Sequence, residues 1–129
     1  MTTPSSNPYL EQQVATASPA MLTAMLFDAL VAASLRAADL LDEEGGAVGA
    51  RRPLLRAQEI VLELRSTLRH DVGGEIARNL DRLYEFVYHK LLTASKDGDA
   101  GAARAAAGIA ASLRDGWYEG CLATVGAAS

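Results

Sequence analysis

Apolar residues recur along most of this chain at steps of three and four, and the repeat stops at three glycine-bearing breaks. Those steps place side chains on one face of an α-helix, so the repeat predicts amphipathic helices. The breaks contain Gly45-Gly46, Gly73-Gly74 and Gly98, and glycine readily ends a helix. No stretch of alternating β-branched residues suggests a strand. The sequence therefore predicts an all-α fold with four helices.

Caps and breaks predict where these helices begin and end. Ser18-Pro19 starts the first, because serine can cap free N–H groups and proline at the first position loses no hydrogen bond. Pro53 opens the second in the same way, and Asp99 can cap the fourth. Short connections favour an antiparallel up-down-up-down bundle over residues 18–121. The expected helices are 18–42, 53–70, 74–95 and 99–121.

Both ends of the chain lack the helical repeat. Residues 1–17 are expected to be a flexible leader, because Pro4 and Pro8 lie among Ser, Thr and Asn. The apolar segment Tyr9–Val14 within the leader is too short to be a stable helix by itself, so we expect it to be extended or briefly helical. Residues 122–129 are expected to be a disordered tail.

The composition excludes several classes of protein. The 129 residues include 12 basic and 16 acidic side chains, for a net charge of −4, whereas a nucleic-acid-binding protein needs a basic stripe. One cysteine gives no internal disulfide and so no sign of an oxidising compartment. The N-terminus lacks the regions of a signal peptide, and no run of about 18 apolar residues predicts membrane insertion. A cytoplasmic protein is expected.

No metal site or catalytic group is expected. Di-iron bundles need a Glu-x-x-His motif on two helices, but Glu85 and His89 are one residue too far apart for it. Glu59 and Glu63 have no histidine partner at that spacing, and no cofactor-binding motif occurs. Cys121 has no basic neighbour to lower its pKa, so it is interpreted as a small hydrophobic residue. The chain is therefore not expected to be an enzyme.

Histidine phosphotransfer is a second chemistry that helical bundles support. His89 is the only candidate for the phosphorylated residue. Phosphotransfer requires small residues around the histidine, so that a response regulator can approach it. Tyr88, Leu91 and Leu92 are instead expected to crowd it. Phosphotransfer therefore remains a minor alternative.

The second and third helices carry more apolar residues than one buried face needs. The expected buried stripes pass through Leu54 and Val61 on one helix and through Ile76 and Leu83 on the other. A helix with a second apolar face must bury that face against something. Either these helices touch two neighbours, or a groove between them binds an amphipathic segment of another protein. The residues outside the stripes are Leu55, Ile60, Leu62, Tyr84, Phe86, Tyr88 and Leu92.

Three motifs carry a resemblance to a known family. The first is Tyr9 followed by Val14–Pro19, Leu22 and Met25–Asp28; the second is the run from Gly73 to Tyr84 (GGEIARNLDRLY); the third is Leu113–Trp117 (LRDGW). Together they resemble the flagellin-specific export chaperones of the FliS family over about residues 8–119. Family members usually have Tyr and Gly at the positions of Phe27 and Ala29, which are mild departures.

The resemblance implies a non-enzymatic cytoplasmic chaperone with a helical-bundle fold. Such a protein would bind the disordered C-terminal region of flagellin, prevent premature polymerisation and support type III export during flagellum assembly. A generic helical adaptor for another secreted or regulatory protein is the main alternative. The resemblance leaves open whether the export gate, a co-chaperone or an anti-sigma factor also binds, and whether the chain is a monomer or a homodimer.

By the same resemblance, the flagellin contacts are expected on the second and third helices. The N-terminal segment is expected to cover the empty groove or to contact the export gate. The predicted groove residues are Ile60, Leu64, Leu80, Tyr84, Val87, Tyr88 and Leu92, and the predicted cap residues are Tyr9, Leu10 and Val14.

Overall fold

The computed structural model describes residues 18–128, without the side chains of residue 70 and residues 121–128. This part of the chain folds into four α-helices and contains no strand, which confirms the all-α prediction. The helices are α1 (Pro19–Asp42), α2 (Ala47–Ser66), α3 (His70–Asp97) and α4 (Ala100–Ala128).

Each helix packs against two neighbours. The helix α1 contacts α2 and α4, and α3 contacts the same two helices. Helices α1 and α4 run in opposite directions, because Trp117 near the end of α4 bonds to Ala20 at the start of α1, while Arg104 bonds to Asp42 at its end. With short turns joining consecutive helices, this arrangement is a four-helix bundle compatible with up-down-up-down order.

The fully buried large side chains of the described core come from three helices, whereas the fourth contributes alanine. Phe27 and Leu30 of α1, Ile60 and Leu64 of α2 and Leu91 of α3 are almost fully buried. The buried residues of α4 are all small: Ala102, Ala103, Ala106, Ala107 and Ala110. Alanine lets α4 approach its neighbours closely, so the larger Ile109, Leu113 and Trp117 lie partly buried at the edge of the core.

The predicted buried stripe of α3 is rotated relative to the observed one. Ile76 and Leu83 are exposed, whereas Tyr84, placed outside the stripe by the sequence pattern, is only 3% exposed. Val87 and Leu91 belong to both stripes. Ile76 lines an open groove beside α1 and α2, and Leu83 lies at a shallow surface depression beside Ala105 and Gly108 of α4, so neither side chain is enclosed.

Two helices begin earlier than the sequence pattern suggests, and one ends later. The helix α2 begins at Ala47, and Pro53 lies inside it, where it removes the N–H that would bond to the carbonyl of Gly49. The helix α3 begins at His70 but bends at Gly74, close to the expected start. The last helix continues to Ala128 and so includes most of the predicted tail.

By length and composition alone, α1 is the one described helix apolar enough to cross a membrane. The sequence analysis expected no such segment. In the fold, however, α1 packs between α2 and α4 and buries Phe27, Leu30 and Val31. Its apolar character is that of the core helix of a bundle.

Candidate functional site

A groove of about 650 Å³ opens at the end of the bundle where α1 begins. The start of α1, the end of α2 and the start of α3 form its walls, and Trp117 of α4 closes one side. Its surface is mainly apolar. The large apolar side chains that line it are Leu22, Leu26, Leu68, Val72, Ile76, Leu80, Tyr84 and Trp117.

The start of α1 is fixed by its cap and by the end of α4. The backbone N–H of Met21 donates to Oγ of Ser18 at 3.2 Å, and Pro19 occupies the first turn. Nε1 of Trp117 donates to the carbonyl oxygen of Ala20 at 3.0 Å. This carbonyl lies in the first turn of α1, so the bond joins the two helices at the edge of the groove.

Tyr84 forms part of the floor of the groove, next to the buried ring of Phe27. The ring of Phe27 lies 6.4 Å from that of Tyr84 and 6.2 Å from that of Trp117, in tilted arrangements that are favourable for aromatic pairs. Burial among these rings raises the pKa of Tyr84 to about 12, because the charged phenolate is poorly solvated there. Tyr84 therefore keeps its proton at alkaline pH values at which an exposed tyrosine would ionise.

A bend at Gly74 forms the end wall beside α3. Gly74 has φ of 54° and ψ of −123°, a conformation that is strained for any residue with a side chain. A Cβ atom at Gly73 would lie only 2.8 Å from Cβ of Ala77. The glycine pair therefore allows the chain to turn tightly into α3 and to place Val72 and Ile76 along the groove.

An ion pair holds α2 against α3 close to the groove. Nε of Arg65 donates to Oδ1 of Asp81 at 2.8 Å, and Nη2 donates to Oδ2 at 3.3 Å. The hydrogen bond to Asp81 raises the pKa of Arg65. Both side chains are about one-third exposed, so the pair fixes geometry more than it adds stability.

Only two of the seven predicted groove residues line the observed groove. Leu80 and Tyr84 do, although Tyr84 also belongs to the core. Ile60, Leu64 and Val87 are fully buried in the core and do not line this groove, so their contact with a client stays a prediction.

The remaining predicted residues lie elsewhere. Tyr88 packs at the edge of the core and Leu92 is exposed, but neither lines the groove. Tyr9, Leu10 and Val14 lie outside the described residues.

Sequence reasoning missed most of the groove because it placed the site along α2 and α3 only. No groove residue was predicted on α1, and Ile76 was placed on the buried stripe of α3. The sequence signal that could have located the groove was the position of the family motifs. Leu22, Ile76 and Trp117 all lie within them, and the fold brings the three together.

The described residues do not form a site for histidine phosphotransfer or for metal binding. His89 is exposed, contrary to the expected crowding, and its Nε2 lies 3.8 Å from a carboxylate oxygen of Glu85. That carboxylate would repel an incoming phosphoryl group. Within the described part of the chain, no three His, Cys, Asp or Glu residues cluster as metal ligands do.

Comparison with known proteins agrees with the motifs. The sequence model of the family described as flagellar protein FliS matches residues 1–123. The flagellar secretion chaperone FliS of Salmonella typhimurium is 36% identical over 111 residues, covering 85% of this chain and 82% of that protein. The Bacillus subtilis protein of the same name is 29% identical over 116 residues, covering 88% and 85%.

A third relative extends the similarity to a differently named member. The flagellar secretion chaperone FliSB of Pseudomonas aeruginosa is 28% identical over 113 residues, covering 84% of this chain and 85% of that protein. With a family match over nearly the whole chain and relatives aligned over most of their own length, this protein belongs to the FliS family of flagellar secretion chaperones.

Proposed function

We propose that this protein is a non-enzymatic, cytoplasmic chaperone that binds the disordered C-terminal region of flagellin in the groove at the start of α1. By covering that region it would prevent premature polymerisation and keep flagellin competent for type III export. The single observation that carries the proposal is an open apolar groove whose rim residues belong to the family motifs.

The rim of the groove has the exposure expected of a binding surface. Val72 and Ile76 are each 72% exposed although they line the groove, and Leu22 is exposed on the opposite wall. Large apolar side chains exposed side by side commonly mark a protein interaction site. A client that covers them removes apolar surface from water, which supplies the driving force for binding.

The shape and character of the groove suit an amphipathic helix. Helical walls lined with apolar side chains bind a partner helix through anchors spaced three and four residues apart. A disordered client must fold as it binds, which uses roughly 2–5 kcal/mol of the contact energy. Binding of this kind combines a large contact area with easy release, as an export chaperone requires.

We further propose that the segment Tyr9–Val14 covers the groove when no client is bound. The described chain begins at Ser18, and the next two residues, Pro19 and Ala20, already line the groove. Four residues therefore separate the predicted cap from the groove wall. Tyr9, Leu10 and Val14 would compete with the client and, once displaced, could contact the export gate.

Calorimetric titration with a peptide from the C-terminal region of flagellin tests the proposal. We expect one-to-one binding, with a gain of helical circular dichroism. Replacing Ile76 with Glu should weaken binding about tenfold or more, because a carboxylate would have to be desolvated against apolar surface. Ile76 is largely exposed, so the bundle itself should stay folded.

Leu35→Glu is the matched control. Leu35 is an exposed leucine of α1 that does not line the groove, so this variant should bind the peptide normally. Equal loss of binding in both variants would indicate an effect of charge alone. No binding by the unchanged protein would contradict the flagellin assignment and would favour a different client of the same groove.

A further inference from the structure

The outward face of α2 carries a second apolar stripe, separate from the groove. Val48, Leu55 and Leu62 are spaced by seven residues and are 70%, 57% and 48% exposed. The inward face of the same helix buries Leu54, Val61 and the residues in line with them. Seven-residue spacing keeps side chains on one side of a helix, so α2 has apolar surface on two opposite faces.

Charges of opposite sign are segregated beside this stripe. Arg52 and Arg56 lie in the first half of α2, and Glu59 and Glu63 lie in the second half. Both pairs have a spacing of four residues, at which like charges repel one another along a helix. None of these four side chains forms an ion pair with another described residue. Within the isolated chain, Arg56 and Glu59 are the only two of these four charges with opposite signs at a spacing of three or four residues.

A second copy of α2 in antiparallel orientation would cover the apolar stripe and would pair the basic half of one helix with the acidic half of the other. With a two-fold axis close to Leu55, Val48 lies near Leu62 of the second copy, and Arg52 lies opposite Glu59 of the second copy. Symmetry forms each of these contacts twice. A parallel arrangement would instead place Arg52 against Arg52 and Glu59 against Glu59, so the charges select the antiparallel one.

We propose that the outward face of α2 is a self-association surface through which two copies of this chain pair antiparallel. The stripe from Val48 to Leu62 is about 21 Å long at 1.5 Å per residue. A single helix pair of this length buries less surface than most stable interfaces. The dimer is therefore reversible and depends on protein concentration.

This surface is independent of the proposed client site. Val48, Leu55 and Leu62 do not line the groove, and of the four flanking charges only Glu63 does. Ile76→Glu should therefore leave self-association intact, while Leu55→Glu should leave peptide binding intact. Failure of one assignment does not imply failure of the other.

Sedimentation velocity of the full chain at rising concentration tests the proposal. The weight-average mass should rise from 13.6 kDa toward twice that value. Leu55→Glu should keep the protein monomeric over the same range, because it places two carboxylates together at the axis. Leu35→Glu, the same change at an exposed leucine of α1, should dimerise normally. A monomer at all concentrations, or dimerisation unaffected by Leu55→Glu, would overturn the proposal.

Charge exchange tests the antiparallel register. Arg52→Glu alone or Glu59→Arg alone should weaken self-association by about five- to tenfold, because each disrupts two symmetric ion pairs. The double variant should regain the original dissociation constant, since it restores both pairs with their signs reversed. If each single variant weakens dimerisation and the double variant does not restore it, the antiparallel pairing is overturned.

Discussion

The two ends of the bundle are built from side chains of different size, and only one end is open. At the closed end, where α1 finishes and α4 begins, Ala37, Ala38, Ala103 and Ala106 are completely buried. At the open end, the rings of Tyr84 and Trp117 line the groove and lie close to the buried ring of Phe27. The same four helices thus form a tight contact at one end and a groove of about 650 Å³ at the other.

The difference shows how a small bundle can keep a stable core and still offer a binding surface. Alanine brings helix axes close, so no space remains at the closed end, where Arg104 also joins Asp39 and Asp42 of α1. At the open end the core contains the larger aromatic side chains, and the backbone of α3 bends at Gly74. Stability and function are therefore assigned to different ends of the same helices.

The largest expected effect tests whether Leu64 supports the core and not the groove. Leu64→Ala should lower the free energy of unfolding by about 2–5 kcal/mol, because it leaves a cavity under a fully buried side chain. Urea unfolding followed by circular dichroism measures this. Leu35→Ala, at an exposed leucine, should cost far less. A Leu64→Ala protein of normal stability that no longer binds the flagellin peptide would return Leu64 to the groove.

An intermediate effect tests the tight packing of the closed end. Ala106→Leu should destabilise the fold by about 1–3 kcal/mol, because a fully buried alanine has no room for the larger side chain. Ala32→Leu on the exposed side of α1 is the matched control and should stay within about 0.5 kcal/mol of the original. Equal stabilities in thermal unfolding would mean that the closed end contains unfilled space.

The smallest effect concerns the floor of the groove at high pH. The pKa of Tyr84 is raised from 10.0 to about 12, so the folded state holds this proton more tightly than the unfolded state. Its contribution to stability is complete below pH 10 and is lost as the pH rises to 12. The loss should be roughly 1–2 kcal/mol.

Tyr84→Phe separates this contribution from other alkaline effects. The variant should unfold with a weaker dependence on pH between 10 and 12, because it has no proton to lose at this position. Denaturant titrations at several alkaline pH values provide the comparison. Identical pH profiles for the two proteins would show that Tyr84 is solvated and that the groove floor is not dry.

Local sequence signals were enough for the fold class, for both ends of α1 and for the start of α4. Ser18-Pro19 was correctly interpreted as the start of α1. Gly45-Gly46 and Gly98 separate observed helices, whereas Gly73-Gly74 lies at a bend within α3. Pro53 misled the prediction, because proline is tolerated within the early turns of α2 when only one hydrogen bond is lost. The start of α3 was nearly right because only glycine suits the backbone at residue 74.

The groove was less predictable, because apolar periodicity does not distinguish a buried face from an exposed one. Ile60 and Ile76 are equally apolar, yet Ile60 is completely buried and Ile76 is 72% exposed. Which of them faces the core depends on how closely neighbouring helices approach. Those neighbouring helices come from distant parts of the chain: α2 packs against α1 and α3, and α3 packs against α2 and α4.

The sequence by itself determined the helices, their breaks and the family, because these follow from local spacing, backbone preferences and motifs. Tertiary structure alone decided where the groove lies, because Leu22, Ile76 and Trp117 meet only when α1, α3 and α4 pack together. It also decided which face of each helix stays in water. Burial is a property of packed neighbours, whereas helix formation is largely a property of the segment.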